Sequence, residues 1–185
     1  MLNWIVSIDW SILNFIQQYL QCEFLNTLLT LITHLGDSGI IWILWAIILI
    51  IQKRYRKYGY LLLLSLTVGL LIGNITLKPL IARDRPCWIE NVPLLIANPH
   101  DYSFPSGHTL SSVIAAYILT VANRKFGYVA VPLALLIAFS RLYLYVHFPS
   151  DVLAAVVIGL IIGYAMNNIY KSIIIKDSLY KSGLS

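Results

Sequence analysis

Three short segments of the chain gather residue types that chemistry needs and that an apolar helix does not. The first is Lys78-Pro79-Leu80-Ile81-Ala82-Arg83-Asp84-Arg85-Pro86. Lysine offers a point charge and arginine a planar fork of N–H donors, and both suit phosphate oxygens. The plainer reading is that these long cations snorkel to lipid headgroups. The second segment is Pro105-Ser106-Gly107-His108, directly ahead of an apolar run. Ser106 sits where a helix N-cap belongs, and Gly107 lets a ligand approach the backbone. Free N–H groups and the positive end of the helix dipole favour an anion there, with His108 able to donate a proton. Its plainer reading is an ordinary cap with a surface histidine. The third segment runs from Ser140-Arg141 to His147 and Asp151. Pro149 opens a helix with Asp151 in its first turn. The carboxylate can then hold one nitrogen of His147 and leave the other nucleophilic. Alone, a His near an Asp is more often a structural pair.

Together these segments supply two histidines, an orienting carboxylate, several cations and a helix terminus. The chemistry they fit is phosphoryl transfer through a phosphohistidine. His147 attacks phosphorus, Asp151 orients it, and His108 protonates the departing oxygen. Lys78, Arg85, Arg141 and the Ser106–Gly107 terminus bind the phosphate and stabilise charge on its equatorial oxygens.

The elements that must position these residues read as membrane helices. Of 185 residues, 59% are hydrophobic and only 11% charged, against about 25% charged in an ordinary soluble domain. Apolar runs follow one another at Phe24–Leu35, Ile40–Ile51, Tyr58–Leu77, Ser106–Ala122, Tyr128–Leu144 and Val152–Tyr170. They do not alternate as barrel strands would. The expectation is an all-α, polytopic membrane bundle of about six transmembrane helices, forming one domain over residues 1–185. Residues 1–21 mix Ile5, Ile8 and Ile12 with Asp9, Asn14 and Gln17, the pattern of an amphipathic helix lying at the interface. Residues 171–185 read as a polar tail.

The net charge is +5, but the basic residues form short clusters rather than one stripe, so nucleic acid is not an expected partner. Lys53, Arg54, Arg56 and Lys57 form one cluster, Arg124 and Lys125 another, and Lys171, Lys176 and Lys181 follow the last run. Alternate crossings bring these clusters to one side, which the positive-inside rule makes cytoplasmic. The three chemical segments then share the opposite, outward side. The N-terminus lacks the basic n-region and cleavage site of a signal peptide. Cys22 and Cys87 form neither a disulfide framework nor a metal-ligand spacing.

These residues also carry a resemblance. Lys78…Arg85-Pro86, Pro105-Ser106-Gly107-His108 and Ser140-Arg141…His147…Asp151 are similar, at every position and spacing, to the three motifs of the type-2 phosphatidic acid phosphatases. The resemblance implies a six-helix membrane fold, a metal-independent reaction without cofactor, and the residue roles given above. It also implies a lipid phosphate or diphosphate as substrate. Undecaprenyl diphosphate is preferred over phosphatidylglycerophosphate, phosphatidate or lipid A 1-phosphate, because outward dephosphorylation would recycle an envelope carrier.

Rival readings are weaker. A metal set of His100, Asp101, His108, His147 and Asp151 lacks compact ligand spacing and is crowded by cations. No G-x-S-x-G elbow exists. A non-enzymatic anion or lipid transporter would place polar groups at mid-membrane depth, where these runs have almost none. His34 and Asp37, in the break after Phe24–Leu35, and Trp88 and His100, in the Pro86–Pro105 loop, are candidates for a substrate entrance. For the His34–Gly39 break, the alternative is a tight turn between helices. Nothing in the sequence bears on oligomeric state.

Overall fold

The structure is a computed structural model that describes residues 2–90 and 92–181. Every regular element within them is helical. Helix α1 spans Leu2–Tyr19, α2 Glu23–Leu35 and α3 Ile40–Ile51, with a 3₁₀ turn at Asp37–Gly39 between the last two. Helix α4, Arg56–Gly69, runs on through a π-helical stretch at Leu70–Leu77 into the short α5, Lys78–Ile81. After the short α6, Pro86–Ile89, come α7 at Gly107–Ala122, α8 at Arg124–Tyr143 and α9 at Pro149–Lys181. The polar end expected from residue 171 is helical through Lys181, and residues 182–185 lie outside the described residues.

Among the described residues, three stretches are long and apolar enough to cross a membrane: Arg56–Ile89, Arg124–Tyr143 and Pro149–Ile174. A fourth arises if α2 and Asp37–Ile51 form one span, because they meet at a bend of 45°. The sequence expectation of about six spans counted those two runs as separate crossings. A hairpin would need the chain to reverse, and a 45° bend keeps its direction. Helix α7, with 16 residues, is about 24 Å long, short of the roughly 30 Å hydrocarbon layer.

Helix α7 is the central element and packs against α4, α8 and α9. Its Ala115, Ile118 and Leu119 are buried with Trp42 and Ala46 of α3, Leu62 of α4 and Ile137 of α8. The buried Trp42 indole is satisfied by donating to Ser112 Oγ at 3.0 Å, as a polar group in an apolar core requires.

The two ends of the bundle differ in chemistry. At one end Asn123 donates to the Tyr55 hydroxyl at 2.9 Å. There Phe126 meets the Tyr55 ring edge-on and Tyr58 lies against Tyr170. These contacts bring together the basic clusters 53–57 and 124–125 and the turn of α9 that carries Lys171. At the other end, Leu13 and Ile16 of α1, Leu29 of α2 and Cys87 of α6 pack on Tyr143–Phe148. The three chemical segments meet on that end.

Candidate active site

His147 lies in the loop between α8 and α9 and is only 1% exposed. Asp151, one turn into α9, is fully buried. The carboxylate does not bond the ring directly, since Nδ1 to Oδ2 is 3.8 Å. Ser103 stands between them: its hydroxyl donates to Asp151 Oδ2 and lies 3.3 Å from His147 Nδ1. A hydroxyl has one proton, and an ionised carboxylate can only accept. The Ser103 oxygen must therefore accept from Nδ1–H, which leaves Nε2 without a proton. Arg85 Nη1 donates to that nitrogen at 3.1 Å. Burial pushes the imidazole well below its ordinary pKa, and the charges of Arg85, Arg141, Lys78 and His108 push it the same way. The ring is thus held neutral, the form a nucleophile needs.

The remaining oxygen of Asp151 accepts from Arg83 Nη1 at 2.6 Å, and the Phe148 N–H caps Oδ2 at 2.9 Å. Arg83 also donates to Asp9 of α1 at 2.7 Å, and Asp9 accepts from the Ser150 N–H at 2.8 Å. Sequence reasoning gave no site role to Ser103 or Asp9 and read Arg83 only as one of the cations of the first segment. The only signal for Asp9 was a lone carboxylate among apolar residues on one helix.

The expected phosphate ligands converge. Lys78, Arg85 and Arg141 line one cavity of about 860 Å³ together with Gly107, His108 and His147. Arg141 is 4% exposed. One guanidinium nitrogen donates to Thr33 at 2.6 Å, while Nε has no partner among the described residues. Lys78 and Arg85 share Asp101, whose Oδ1 accepts from Arg85 Nη2 at 2.7 Å and whose Oδ2 accepts from Lys78. Burial raises the Asp101 carboxyl, but bonds and charge from Lys78 and Arg85 outweigh it and hold the group at about 2.

Ser106 occupies the N-cap position of α7 but makes no side-chain cap; its hydroxyl accepts from Thr109 at 3.0 Å. The sequence placed this serine correctly and misread its hydroxyl. Gly107 is packed closely enough that a Cβ would sit 3.0 Å from the Asn74 amide oxygen.

The four entrance residues divide. His34, Asp37 and His100 line the cavity. Trp88 is not among its lining residues; its indole donates to Asn98 and Pro99 and braces the 98–99 loop. Asp37 also does more than border an opening, since Oδ1 lies 2.9 Å from His108 Nε2. The rival metal ligands do not assemble: among the described residues no three His, Cys, Asp or Glu side chains are placed to hold an ion.

Known proteins resemble this chain in sequence and fold. The PAP2 superfamily matches residues 57–174. An undecaprenyl-diphosphatase from Sulfolobus acidocaldarius is 34% identical over 143 residues, 76% of this chain and 68% of that protein. The undecaprenyl-diphosphatase BcrC of Bacillus subtilis is 32% identical over 76% of this chain and 72% of its own length. A transmembrane PAP2-type phosphatidylglycerolphosphate phosphatase from Bacillus subtilis, known as a crystal structure, superposes with a TM-score of 0.77. That match has 27% identity and covers 92% of this chain and 88% of the other. The match over residues 57–174, with relatives 34% and 32% identical across about three quarters of the chain, places it among the phosphatases of the PAP2 superfamily.

Proposed function

We propose that the chain removes the terminal phosphate of undecaprenyl diphosphate at the outer membrane face through a phosphohistidine. The observation that carries this reading is the meeting, in one cavity, of His147 Nε2 with Lys78, Arg85, Arg141 and the start of α7. Nε2 attacks phosphorus as the bond to the leaving oxygen breaks. His108 gives its proton to that oxygen, so the lipid departs as an alcohol or monophosphate. Water then attacks the phosphohistidine, His108 takes its proton, and phosphate leaves with the original histidine restored. The cations and the uncapped N–H groups of α7 hold the charge spread over the three equatorial oxygens throughout.

The same cavity reaches between α3 and α4, where Ile43, Leu63, Leu66 and Leu70 line it. An apolar arm joined to a cationic head suits a lipid phosphate better than a soluble ester. Five crossings, with α2 and α3 as one bent span and α7 as another, put the basic clusters on one side. The positive-inside rule makes that side cytoplasmic and turns the cavity outward. Helix α1 then lies along the outer interface, with Trp4, Ile5, Ile8 and Phe15 exposed towards the bilayer.

The test is phosphate release by purified protein from undecaprenyl diphosphate, phosphatidylglycerophosphate and phosphatidate, with and without EDTA. The expected result is fastest turnover on the diphosphate, unchanged by chelator and absent in His147→Ala. Preference for phosphatidylglycerophosphate would move the substrate towards that of the Bacillus subtilis structure. Turnover surviving in His147→Ala would remove the phosphohistidine.

A further inference from the structure

Each of the two histidines assigned to catalysis has its own carboxylate, and only one of those carboxylates was legible in the motifs. Asp151 serves His147. The second is Asp37, in the turn between α2 and α3. Its Oδ1 lies 2.9 Å from His108 Nε2, and its Oδ2 is held by His34 Nδ1 at 2.8 Å.

The turn is shaped around this contact. A Cβ on Gly36 would come within 2.7 Å of His108 Cδ2, so the ring packs where only glycine leaves room. Ser38 and Gly39 both adopt positive φ, 51° and 69°. That is a left-handed pair that ordinary helical turns avoid, and it carries the chain into α3 with Asp37 facing α7. A simple interhelical turn would not require a glycine beneath the histidine ring.

We propose that Asp37 is the positioning residue of the general acid: its carboxylate holds Nε2–H of His108, turns Nδ1 towards the leaving oxygen, and stabilises the imidazolium before proton transfer. This deepens the phosphatase reading and rests on it. The charged groups around His108 are Arg141 from α8, Lys78 at the start of α5 with Asp101 bonded to it, and Asp37 itself. His147 lies across the cavity and His34 behind Asp37. Asp101 is engaged by Lys78 and Arg85, whereas Asp37 is the anion in contact with the ring and favours its protonated form against the two cations. An anion at this place would repel a phosphate rather than bind it, which separates positioning from the headgroup contact expected at the entrance.

The experiment compares kcat, KM and pH profile for phosphatidate and p-nitrophenyl phosphate in the same detergent micelles. The enzymes are wild type, Asp37→Asn, Asp37→Glu and Gly36→Ala. An alkoxide leaves badly and needs the acid, whereas nitrophenolate leaves without it. Asp37→Asn is expected to lower kcat on phosphatidate by about 100-fold, within the range of a general acid's contribution. On p-nitrophenyl phosphate the loss should stay under about threefold, with KM not raised. Loss of the anion should move the alkaline limb of the phosphatidate profile to lower pH by about 1 unit. Asp37→Glu should recover part of the rate, and Gly36→Ala should reproduce the leaving-group signature with the carboxylate still present. Equal losses on both substrates, an unmoved limb, or a rise in KM at constant kcat would overturn the inference while leaving the phosphatase reading intact. Absence of wild-type turnover on every lipid phosphate would overturn both.

Discussion

Ser103 Oγ lies 3.3 Å from His147 Nδ1, closer to that nitrogen than the Asp151 carboxylate at 3.8 Å. The serine therefore transmits the carboxylate's influence to the ring and selects the tautomer that bares Nε2. Ser103→Ala removes both hydrogen bonds of the bridge, to Asp151 and to Nδ1, with an expected loss of about 1.4 kcal/mol or roughly tenfold in kcat. Asp151 can close part of the gap, which keeps the loss moderate. Asp151→Asn also strips the charge that stabilises the phosphorylated ring, and should cost at least about 100-fold. Steady-state kinetics on one lipid substrate checks the order; a Ser103→Ala enzyme as damaged as Asp151→Asn would make the serine more than a relay.

Arg141 carries a buried donor with no partner among the described residues, a costly state that a bound anion would relieve. Arg141→Lys keeps the charge but cannot present two N–H groups to one phosphate. The expected loss in kcat/KM is about 100-fold, accompanied by weaker inhibition by inorganic phosphate. Thr33→Val frees the nitrogen that Thr33 now accepts from, and should loosen the guanidinium with a smaller loss. Inhibition constants for phosphate in the three proteins provide the measurement.

The depressed pKa of His147 fixes a sign for the pH dependence. A lowered folded value means that the neutral, attacking ring persists at pH values where a free histidine is already protonated. The acid limb of kcat/KM, corrected for ionisation of the substrate phosphate, should therefore lie below the ordinary imidazole value of about 6.5. Burial is the leading cause, with the Arg85 charge next, so Arg85→Gln should move the limb upward as activity falls. A corrected wild-type limb at or above the ordinary value would contradict the neutral, buried nucleophile.

The three motif segments were legible because a charge on an apolar background has few places to go. Lys78, Arg85, Arg141, His108 and His147 meet in one cavity. What stayed hidden acts through space. Ser103 reaches a histidine 44 positions away, and Asp9 reaches Ser150 across 141. The geometry of the α2–α3 junction stayed hidden for another reason. Gly36–Gly39 breaks two apolar runs whether the chain reverses or merely bends, and composition is the same in both cases. Backbone dihedrals decide it, and here they yield 45°. The same turn brings Asp37 to His108.

Helix α1 gives the last prediction. Its outward face exposes Trp4, Phe15 and Tyr19, which alone would make it a membrane float. Its inward face instead buries Asp9, 1% exposed, on the Ser150 backbone and on Arg83. Arg83 in turn holds Asp151 and lies 4.1 Å above the Phe148 ring. Breaking one partner of a buried charge pair costs several kcal/mol, because the other charge is left uncompensated. Asp9→Asn retains shape and one acceptor but removes the charge, so roughly 2 kcal/mol of destabilisation and a severalfold lower kcat are expected. Phe15→Ala, on the exposed face, should leave kcat unchanged. Thermal unfolding in detergent and lipid-phosphate turnover, run on both variants, separate a strap on the catalytic loop from a passive anchor. Equal behaviour of the two would assign α1 to the bilayer alone.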